Sequence, residues 1–283
     1  MKKRTVLITG ANKSIGFETA RLMGKLGFNV WLGCRDGGRG QDAVSRLLSE
    51  GIKARLAIID VTDQQSVDAA VGQIKSEDGK LDVLINNAGI PGTWPIAPES
   101  QSISDIMTVY NTNVFGVIRV TQAFLPLLKL GEEPRIIMVS SGLGSLEWVS
   151  DKAHPYSQVA ALGYTSSKTA LNGVTVAFAN SLSEYGISVN AVDPGYTATD
   201  FNGHTGYRTV SQAARGIVWL AAEASQTITA GFFWMESAHP GESRLIKHST
   251  CLDGAGWLTG VGRTPGVSCA VGSQICPNHP EGK

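Results

Sequence analysis

Continuous apolar runs alternate with helical patterns along most of the chain. An unbroken run rich in β-branched residues is typical of a strand that is covered on both faces of a parallel sheet. Such runs lie at 5–9, 29–33, 54–60, 81–86, 135–140, 187–192 and 231–235. Helical spacing fills the intervals at 15–26, 39–49, 63–77, 113–130, 164–185 and 210–222. The alternation implies right-handed crossovers and predicts an α/β fold, a doubly wound parallel sheet of about seven strands with helices on both faces.

Two of the predicted helices begin with a Thr that is followed three residues later by a Gln. Thr62 precedes Gln65, and Thr209 precedes Gln212. In a capping box of this kind, the hydroxyl and the side-chain amide bind backbone N–H groups that the first helical turn leaves unpaired. We therefore expect helices to begin directly after Thr62 and after Thr209.

The pattern changes after the last apolar run. From about 237 to 283 the chain is rich in Gly, Pro, Ser and Cys, and it has no sustained period of 2 or 3.6 residues. We predict a core domain of residues 1–236 and a tail of residues 237–283 that is not part of the core. His/Cys pairs at 248–251 and 276–279 have the spacing of zinc ligands, but the tail lacks the patterned core of a zinc module. We expect a flexible extension and no metal site.

The charges of the chain balance. The 24 Lys and Arg residues match 24 Asp and Glu residues, so no net field draws the chain to nucleic acid or to an anionic membrane. No run approaches the roughly 18 apolar residues that span a bilayer, and the apolar run at 6–8 is far shorter than the core of an export signal. We expect a soluble, cytoplasmic protein with small-molecule partners, and the sequence leaves homo-oligomer formation open.

A glycine-containing turn, TGANKSIG at 9–16, links the first predicted strand to the first helix. Gly10 permits a tight turn, and Gly16 lets helix and strand pack closely. The N–H groups at the start of the helix can then bind the pyrophosphate of a dinucleotide. The same glycines also fit an ordinary tight connection, so further motifs must decide between the two interpretations.

The order of the motifs that follow carries a family resemblance. NNAG occupies 86–89, NVFG occupies 113–116, a Ser follows the fifth run, YTSSK occupies 164–168 and PGYTATD occupies 194–200. Together with the glycine turn, this series resembles the short-chain dehydrogenase/reductase family over about residues 4–236. The resemblance implies that residues 1–236 form a single Rossmann-type domain that binds NADP and carries out catalysis. It also implies that the protein is a carbonyl-reductase-like member of the family.

Ser14 departs from the usual turn of that family, T-G-x-x-x-G-x-G. A side chain at this position would crowd a cofactor if the backbone needs the conformational freedom of glycine. Alternatively, the Ser14 hydroxyl would donate a hydrogen bond to a phosphate. The departure at Ser14 bears on the affinity for the cofactor and not on the resemblance to the family.

The resemblance implies four catalytic residues. Tyr164 and Lys168 share one helix face, and a phenol with an ordinary pKa of about 10 needs a nearby cation to exchange protons near neutral pH. We expect Tyr164 to exchange the proton and Lys168 to lower its pKa. By resemblance, Lys168 also binds the nicotinamide ribose, Ser141 holds the substrate oxygen, and the backbone carbonyl of Asn113 holds a water. Ser140 is the alternative to Ser141, and a helix N-cap is the alternative role for Asn113.

The expected cofactor is NADP(H). Arg35 directly follows the second predicted strand and Lys13 lies in the glycine turn, where both could pair with a 2′-phosphate, although solvated surface charges are the plain alternative. Asp36 leaves some use of NAD open. The turn and the resemblance together give a predicted cofactor site of Gly10, Asn12, Lys13, Ser14, Ile15, Gly16, Arg35, Asp60, Val61, Asn87, Ala88, Gly89, Tyr164, Lys168, Pro194, Gly195, Thr197 and Thr199.

Two segments are expected near the substrate. The spacing between Ser141 and Tyr164 is longer than is common in the family, and the loop between them holds Leu146, Trp148, His154 and Tyr156. We interpret His154 as a loop residue, because Tyr164 already fills the acid role. The segment 201–207, after the cofactor motif, is predicted to be a mobile lid.

The resulting hypothesis is an NADPH-dependent reductase that converts an aldehyde or ketone to an alcohol. An NADP-linked alcohol dehydrogenase would use the same residues in reverse. A cofactor-sensing binding protein with little turnover is a rival of another class, and the intact Ser141, Tyr164 and Lys168 count against it. A tail that recruits a protein partner is a further alternative. The substrate and the physiological direction stay open.

Overall fold

The strands that the structure describes lie in one sheet, in the order β3-β2-β1-β4-β5-β6-β7-β8. The computed structural model describes residues 3–237 and 243–248, with side chains for residues 3–234. The strands are β1 (Thr5–Thr9), β2 (Asn29–Cys34), β3 (Ala54–Ile58), β4 (Val83–Asn86), β5 (Arg135–Val139), β6 (Ser188–Asp193), β7 (Phe232–Ser237) and β8 (Ser243–His248). The strands β1 to β7 are parallel, and the strand order reverses between β1 and β4. A reversal of this kind opens a crevice at the carboxyl ends of the strands, where α/β proteins bind ligands.

Helices cover both faces of the sheet, as predicted. They are α1 (Ser14–Lys25), α2 (Gly37–Ser49), α3 (Gln64–Asp78), α4 (Ile103–Tyr110), α5 (Val117–Leu128), α6 (Leu146–Ser150), α7 (Leu162–Leu182) and α8 (Val210–Val218). Val6 and Ile8 of β1 pack in a cluster with α1, α2 and α8, whereas Leu7 packs in a second cluster with α3, α5 and α7. Since successive side chains of a strand point to opposite faces, the unbroken apolar run of β1 supplies both clusters.

The helical structure between β4 and β5 differs from the prediction. The sequence indicated a helix from 113, but the chain is already helical from Ile103 in α4, and a wider π-helical turn at Asn111–Gly116 leads into α5. Ser102 caps α4 by accepting the N–H of Asp105. Because Ile103 and Met107 of this helix are exposed, α4 lacks the buried apolar stripe by which a helix is predicted. The short helix α6 was also not predicted.

One of the two predicted capping boxes is present. At α8, the Thr209 hydroxyl accepts the N–H of Gln212, and the Gln212 side chain accepts the N–H of Thr209. The prediction at Thr62 is wrong. Asp63 caps α3 by accepting the N–H of Gln65, because the N–H and hydroxyl of Thr62 both donate to Asp60.

The sheet extends beyond the predicted end at 235. β8 pairs with β7 in antiparallel register, with Phe232 opposite His248, which adds one strand to the predicted seven. The backbone contacts divide the chain into Met1–Cys251 and Leu252–Lys283, and the predicted domain boundary at 236 stays a prediction. The His/Cys pairs at 248–251 and 276–279 lie outside the described side chains. Within the described part, no helix is long and apolar enough to cross a membrane, and no group of three or more His, Cys, Asp or Glu side chains is placed to hold a metal ion.

Candidate functional site

A cavity of about 530 Å³ lies at the carboxyl ends of the parallel strands. Its lining includes residues that directly follow β1, β2, β3, β4, β5 and β6. Every residue of the predicted cofactor site lines it, together with Ser141. The structure therefore brings residues that are up to 189 positions apart, Gly10 and Thr199, into one cavity, and Asn113 is the only predicted site residue that does not line it.

The glycine turn leaves room for a ligand at the start of α1. Gly10 has a φ of +64°, and a Cβ on it would lie 3.0 Å from the Ala88 Cα. A Cβ on Gly16 would lie 2.6 Å from the Gly10 carbonyl oxygen, so the helix and the turn are in contact there. Lys13, the N-cap residue, makes no side-chain cap, which leaves the first N–H groups of the helix open to an anion. The turn thus fits the pyrophosphate of a dinucleotide.

Ser14 adopts the backbone conformation that the sequence pattern associates with glycine. Its φ is +51°, in the left-handed region where a side chain is strained. The departure from the usual turn is therefore a substitution at a position that requires glycine-like geometry. The segment keeps that geometry although Ser14 carries a side chain.

The NNAG motif fixes the glycine turn from the neighbouring strand. The Thr9 hydroxyl accepts the N–H groups of Asn87 and Ala88, each at 3.0 Å. The Asn87 amide donates to the carbonyl oxygens of Thr9 at 2.9 Å and of Gly10 at 3.2 Å. The motif is thus structural, and three of its residues, Asn87, Ala88 and Gly89, also line the cavity.

Cations lie at one end of the cavity, after β2. Arg35 and Arg39 both line it, and within the described residues Arg35 forms no ion pair with another side chain. Asp36 caps α2 by accepting the Arg39 N–H at 3.0 Å and pairs with the Arg39 guanidinium at 3.4 Å. Sequence reasoning missed Arg39, although its place in the first turn of the helix after Arg35 was a usable signal. Asp60 also lines this end; burial would raise its pKa, but hydrogen bonds from Thr62 and the charge of Arg35 lower it.

Lys13 is engaged with the segment after Thr199. Its ammonium lies 2.7 Å from an Asp200 carboxylate oxygen, and both side chains are about half exposed. Asp200 also contacts His204 at 2.8 Å. A phosphate that is to bind Lys13 has to compete with Asp200, which the sequence did not indicate.

Ser141, Tyr164 and Lys168 meet at the other end of the cavity. Tyr164 and Lys168 project from α7 and are 8% and 4% exposed, and the Ser141 side chain is close enough to Tyr164 to lower its pKa. The Lys168 ammonium donates to the Val139 carbonyl oxygen at 2.8 Å. Ser140, the alternative to Ser141, donates its hydroxyl to Asn172 at 2.6 Å, so Ser141 is the serine that reaches Tyr164.

The pKa of Tyr164 differs from the expectation. Burial raises the pKa of Tyr164, and the hydrogen bond from Ser141 only partly opposes it. Burial also lowers the pKa of Lys168 to about 8, which leaves the ammonium mostly charged near neutral pH. The expected lowering of the Tyr164 pKa by Lys168 is not found. The ammonium is bonded to Val139, and the negative charge of Asp193 acts on Tyr164 in the opposite direction.

Asn113 lies behind the site. It is fully buried in the π-helical turn, and its side chain accepts the N–H of Ile90 and donates to the Ile90 carbonyl, both at 2.9 Å. It also donates to Ser167, next to Lys168, at 3.1 Å. The N-cap alternative is wrong, because the helix already begins at Ile103. The side chain connects the loop after β4 to α7.

Aromatic residues surround the Tyr164 end of the cavity. Trp94, Tyr156 and Phe201 line it, and the Phe201 ring packs 5.4 Å from the Tyr164 ring. In the loop that was expected to border the substrate, Trp148 stacks on His154 with the rings 5.3 Å apart, and His154 accepts the N–H of Tyr156. Of the four residues named in that loop, Tyr156 is the one that lines the cavity. His154 is a loop residue, as predicted.

Sequence comparison decides the family. The family model described as short chain dehydrogenase matches residues 4–208. The chain belongs to the short-chain dehydrogenase family. As a member of it, the protein is an oxidoreductase of a family that binds NAD(P)(H), and the matched region contains every predicted site residue.

Individual relatives of this short-chain dehydrogenase agree with the assignment. A short-chain dehydrogenase of Penicillium roqueforti (strain FM164) is 36% identical over 79% of this chain and 90% of its own length. The (+)-neomenthol dehydrogenase of Arabidopsis thaliana is 32% identical over 82% of this chain and 95% of its own length. Among solved structures, the NADPH-bound carbonyl reductase from chicken fatty liver has a TM-score of 0.73 at 29% identity, covering 83% of this chain and 97% of that one.

Proposed function

We propose that the protein reduces an aldehyde or ketone to an alcohol with NADPH as the cofactor, and that Tyr164 donates the proton. One observation carries the proposal. Ser141, Tyr164 and Lys168 lie at one end of a cavity whose other end has the open N-terminus of α1 and two arginines. Both a reactive carbonyl and a dinucleotide therefore find suitable partners in the same cavity.

The protein's own residues provide the proton and the orientation. When bound, NADPH supplies the hydride that adds to the carbonyl carbon. The Ser141 hydroxyl donates a hydrogen bond to the carbonyl oxygen and directs it to Tyr164. Tyr164 passes its proton to that oxygen, and its raised pKa keeps the phenol protonated, as reduction requires. Lys168 supplies positive charge next to the phenolate that forms and is available to the ribose hydroxyls of the cofactor.

The arrangement of charges supports NADPH over NADH. Arg35 and Arg39 line the cavity where the second strand ends, and guanidinium groups suit a phosphate. Asp36, which left the use of NAD open, already caps α2 and pairs with Arg39. Its carboxylate is therefore occupied rather than free to accept a ribose hydroxyl. The chicken carbonyl reductase, whose structure holds NADPH, is consistent with this preference.

The test is a panel of aldehydes and ketones with NADPH oxidation followed by absorbance, and the matching alcohols with NADP in the reverse assay. We expect carbonyl reduction to exceed alcohol oxidation near neutral pH. Faster oxidation would favour the alcohol dehydrogenase. Tight NADPH binding without turnover of any compound would favour the cofactor-sensing protein.

Ser14→Gly tests the unusual glycine turn. Removing a side chain from a residue with a φ of +51° should raise the free energy of unfolding by about 1 kcal/mol and should tighten NADPH binding, because the phosphate site loses a side chain. Thermal unfolding and NADPH fluorescence titration measure the two effects. Ser14→Ala is the control, since it removes the hydroxyl and keeps the strain. Weaker NADPH binding in both variants would show that the hydroxyl binds the phosphate.

We further propose that residues 1–236 contain the whole catalytic function. A chain that ends at Ser237 should fold and reduce carbonyls, because every proposed site residue precedes β7. It should melt at a lower temperature than a chain that ends at His248, which keeps β8. Circular dichroism measures folding and the melting temperature, and the NADPH assay measures carbonyl reduction. An inactive shorter chain beside an active longer one would place the domain boundary after β8. Inactivity of both would mean that the tail is structural.

A further inference from the structure

Asp193 is a buried carboxylate at the site for which the proposed reaction has no role. It is the last residue of β6, lines the cavity and is only 5% exposed. A buried carboxylate is costly unless hydrogen bonds and opposite charges compensate it. Its surroundings therefore indicate what the carboxylate does.

The carboxylate joins two turns of the site. It accepts the N–H of Gly195, in the turn after β6, at 2.9 Å, and it lies against Gly142, in the turn after β5, whose N–H favours the ionised carboxylate. Gly142 directly follows Ser141, and a Cβ on it would lie 3.0 Å from an Asp193 carboxylate oxygen. One side chain thus fixes the turn that carries Ser141 relative to the turn that contains Gly195.

Charged and titratable groups face Asp193 from three sides. Lys168 and Tyr164 face it from α7, Arg208 from the segment after the predicted lid, and Tyr156 from the loop before α7. The pKa of Asp193 is raised, because burial outweighs the N–H groups of Gly195 and Gly142 and the charges of Arg208 and Lys168, which favour the ionised form. In return, its negative charge raises the pKa of Tyr164 and opposes the lowering of the Lys168 pKa by burial.

We propose that Asp193 is a positioning residue of the reduction: its carboxylate holds the Ser141 turn against the Gly195 turn and balances the charge of Lys168. It thereby sets the pH range in which Tyr164 keeps its proton. The inference rests on the proposed function, because it assigns a consequence to Tyr164 as the proton donor. Lys168 provides positive charge beside the reacting oxygen, and the negative charge of Asp193 favours the protonated phenol.

Asp193→Asn is the direct test. A neutral amide removes the negative charge, so the pKa values of both Tyr164 and Lys168 should fall. Reduction needs the protonated phenol, and the alkaline limb of kcat should therefore move to lower pH by about one unit. The amide can also accept only on its single oxygen, so it cannot hold the turn of Gly195 and the turn of Gly142 at the same time. We expect kcat to fall about tenfold as Ser141 is displaced, with a smaller change in the KM for NADPH.

Two matched variants separate the charge from the packing. Asp193→Glu keeps the charge and displaces the carboxylate, so kcat should fall while the alkaline limb stays in place. Asp82→Asn removes another fully buried carboxylate. Asp82 accepts the N–H of Thr5, which is distant from it in the sequence, and pairs with Lys80. This variant should lower the melting temperature and leave the pH profile unchanged.

A second readout does not require turnover. The tyrosinate absorbance of Tyr164, taken as the difference between the protein and its Tyr164→Phe variant, should titrate at lower pH when Asn replaces Asp193. An unmoved titration in folded Asp193→Asn overturns the inference. If that variant does not fold, wild-type kcat in Asp193→Glu overturns it, and a reduced kcat with an unmoved alkaline limb supports it. A wild-type protein that reduces no carbonyl would instead refute the proposed function, and the tyrosinate titration would still test Asp193.

Discussion

Replacing Tyr164 by Phe is expected to lower kcat for carbonyl reduction by about a thousandfold while the Kd for NADPH stays nearly constant. Phe keeps the ring that packs 5.4 Å from Phe201 and loses only the hydroxyl, whose pKa Ser141 lowers. Steady-state kinetics and NADPH fluorescence titration measure the two quantities. Lys168→Ala should instead lower kcat and also weaken NADPH binding, because Lys168 has a proposed role in proton transfer and in binding the ribose.

A matched control is available in the same cavity. Tyr156 is also a phenol that lines it and is partly buried, so Tyr156→Phe removes a hydroxyl of the same kind from a residue with no proposed part in proton transfer. Its kcat should stay within a few-fold of the parent value. Substantial activity in Tyr164→Phe would refute the proposed mechanism, because no other residue is proposed to donate the proton.

Arg35→Asp should reduce the preference for NADPH over NADH, measured as the ratio of the kcat/KM values, by about a hundredfold. A hydrogen bond from a charged group contributes about 1.5–3 kcal/mol, and the new carboxylate repels the 2′-phosphate while it can accept a ribose hydroxyl. Adding Arg39→Ala should lower the ratio further, because Arg39 lines the same end of the cavity.

Arg46→Ala is the control for this second prediction. Arg46 also belongs to α2, but its guanidinium packs over the Phe17 ring at 4.2 Å and it does not line the cavity. Arg46→Ala makes the same change in charge as Arg39→Ala on the same helix, and it should leave the cofactor ratio unaltered. A ratio that is unchanged by Arg35→Asp would count against Arg35 as a phosphate ligand.

The sequence was most informative where one local rule determines the structure. The run 5–9 is β1 at its predicted bounds, because a strand covered on both faces needs only continuous apolar residues. The glycine turn, Tyr164 and Lys168 were found because each depends on a short spacing. The departure at Ser14 raised the question of whether the backbone there needs the freedom of glycine, and its φ of +51° shows that it does.

Features that depend on distant residues were not predicted. Lys13 pairs with Asp200 across 187 positions, and no local pattern indicates this contact. The pKa of Tyr164 is raised by burial and by the charge of Asp193, at the end of β6, and Ser141 opposes the rise. β8 was missed because an added antiparallel edge strand needs only backbone pairing with β7, which leaves little trace in the hydrophobic pattern.

The position of β3 at one edge of the sheet bears on how the protein avoids aggregation. An edge strand presents unpaired backbone groups that can recruit a strand from another molecule. β3 has only five residues, and the second of them is Arg55, whose guanidinium binds Glu77 at 2.7 Å and Asp78 at 2.6 Å. A charged side chain held in place on a short strand opposes the docking of a second strand, so this edge resists intermolecular β-pairing.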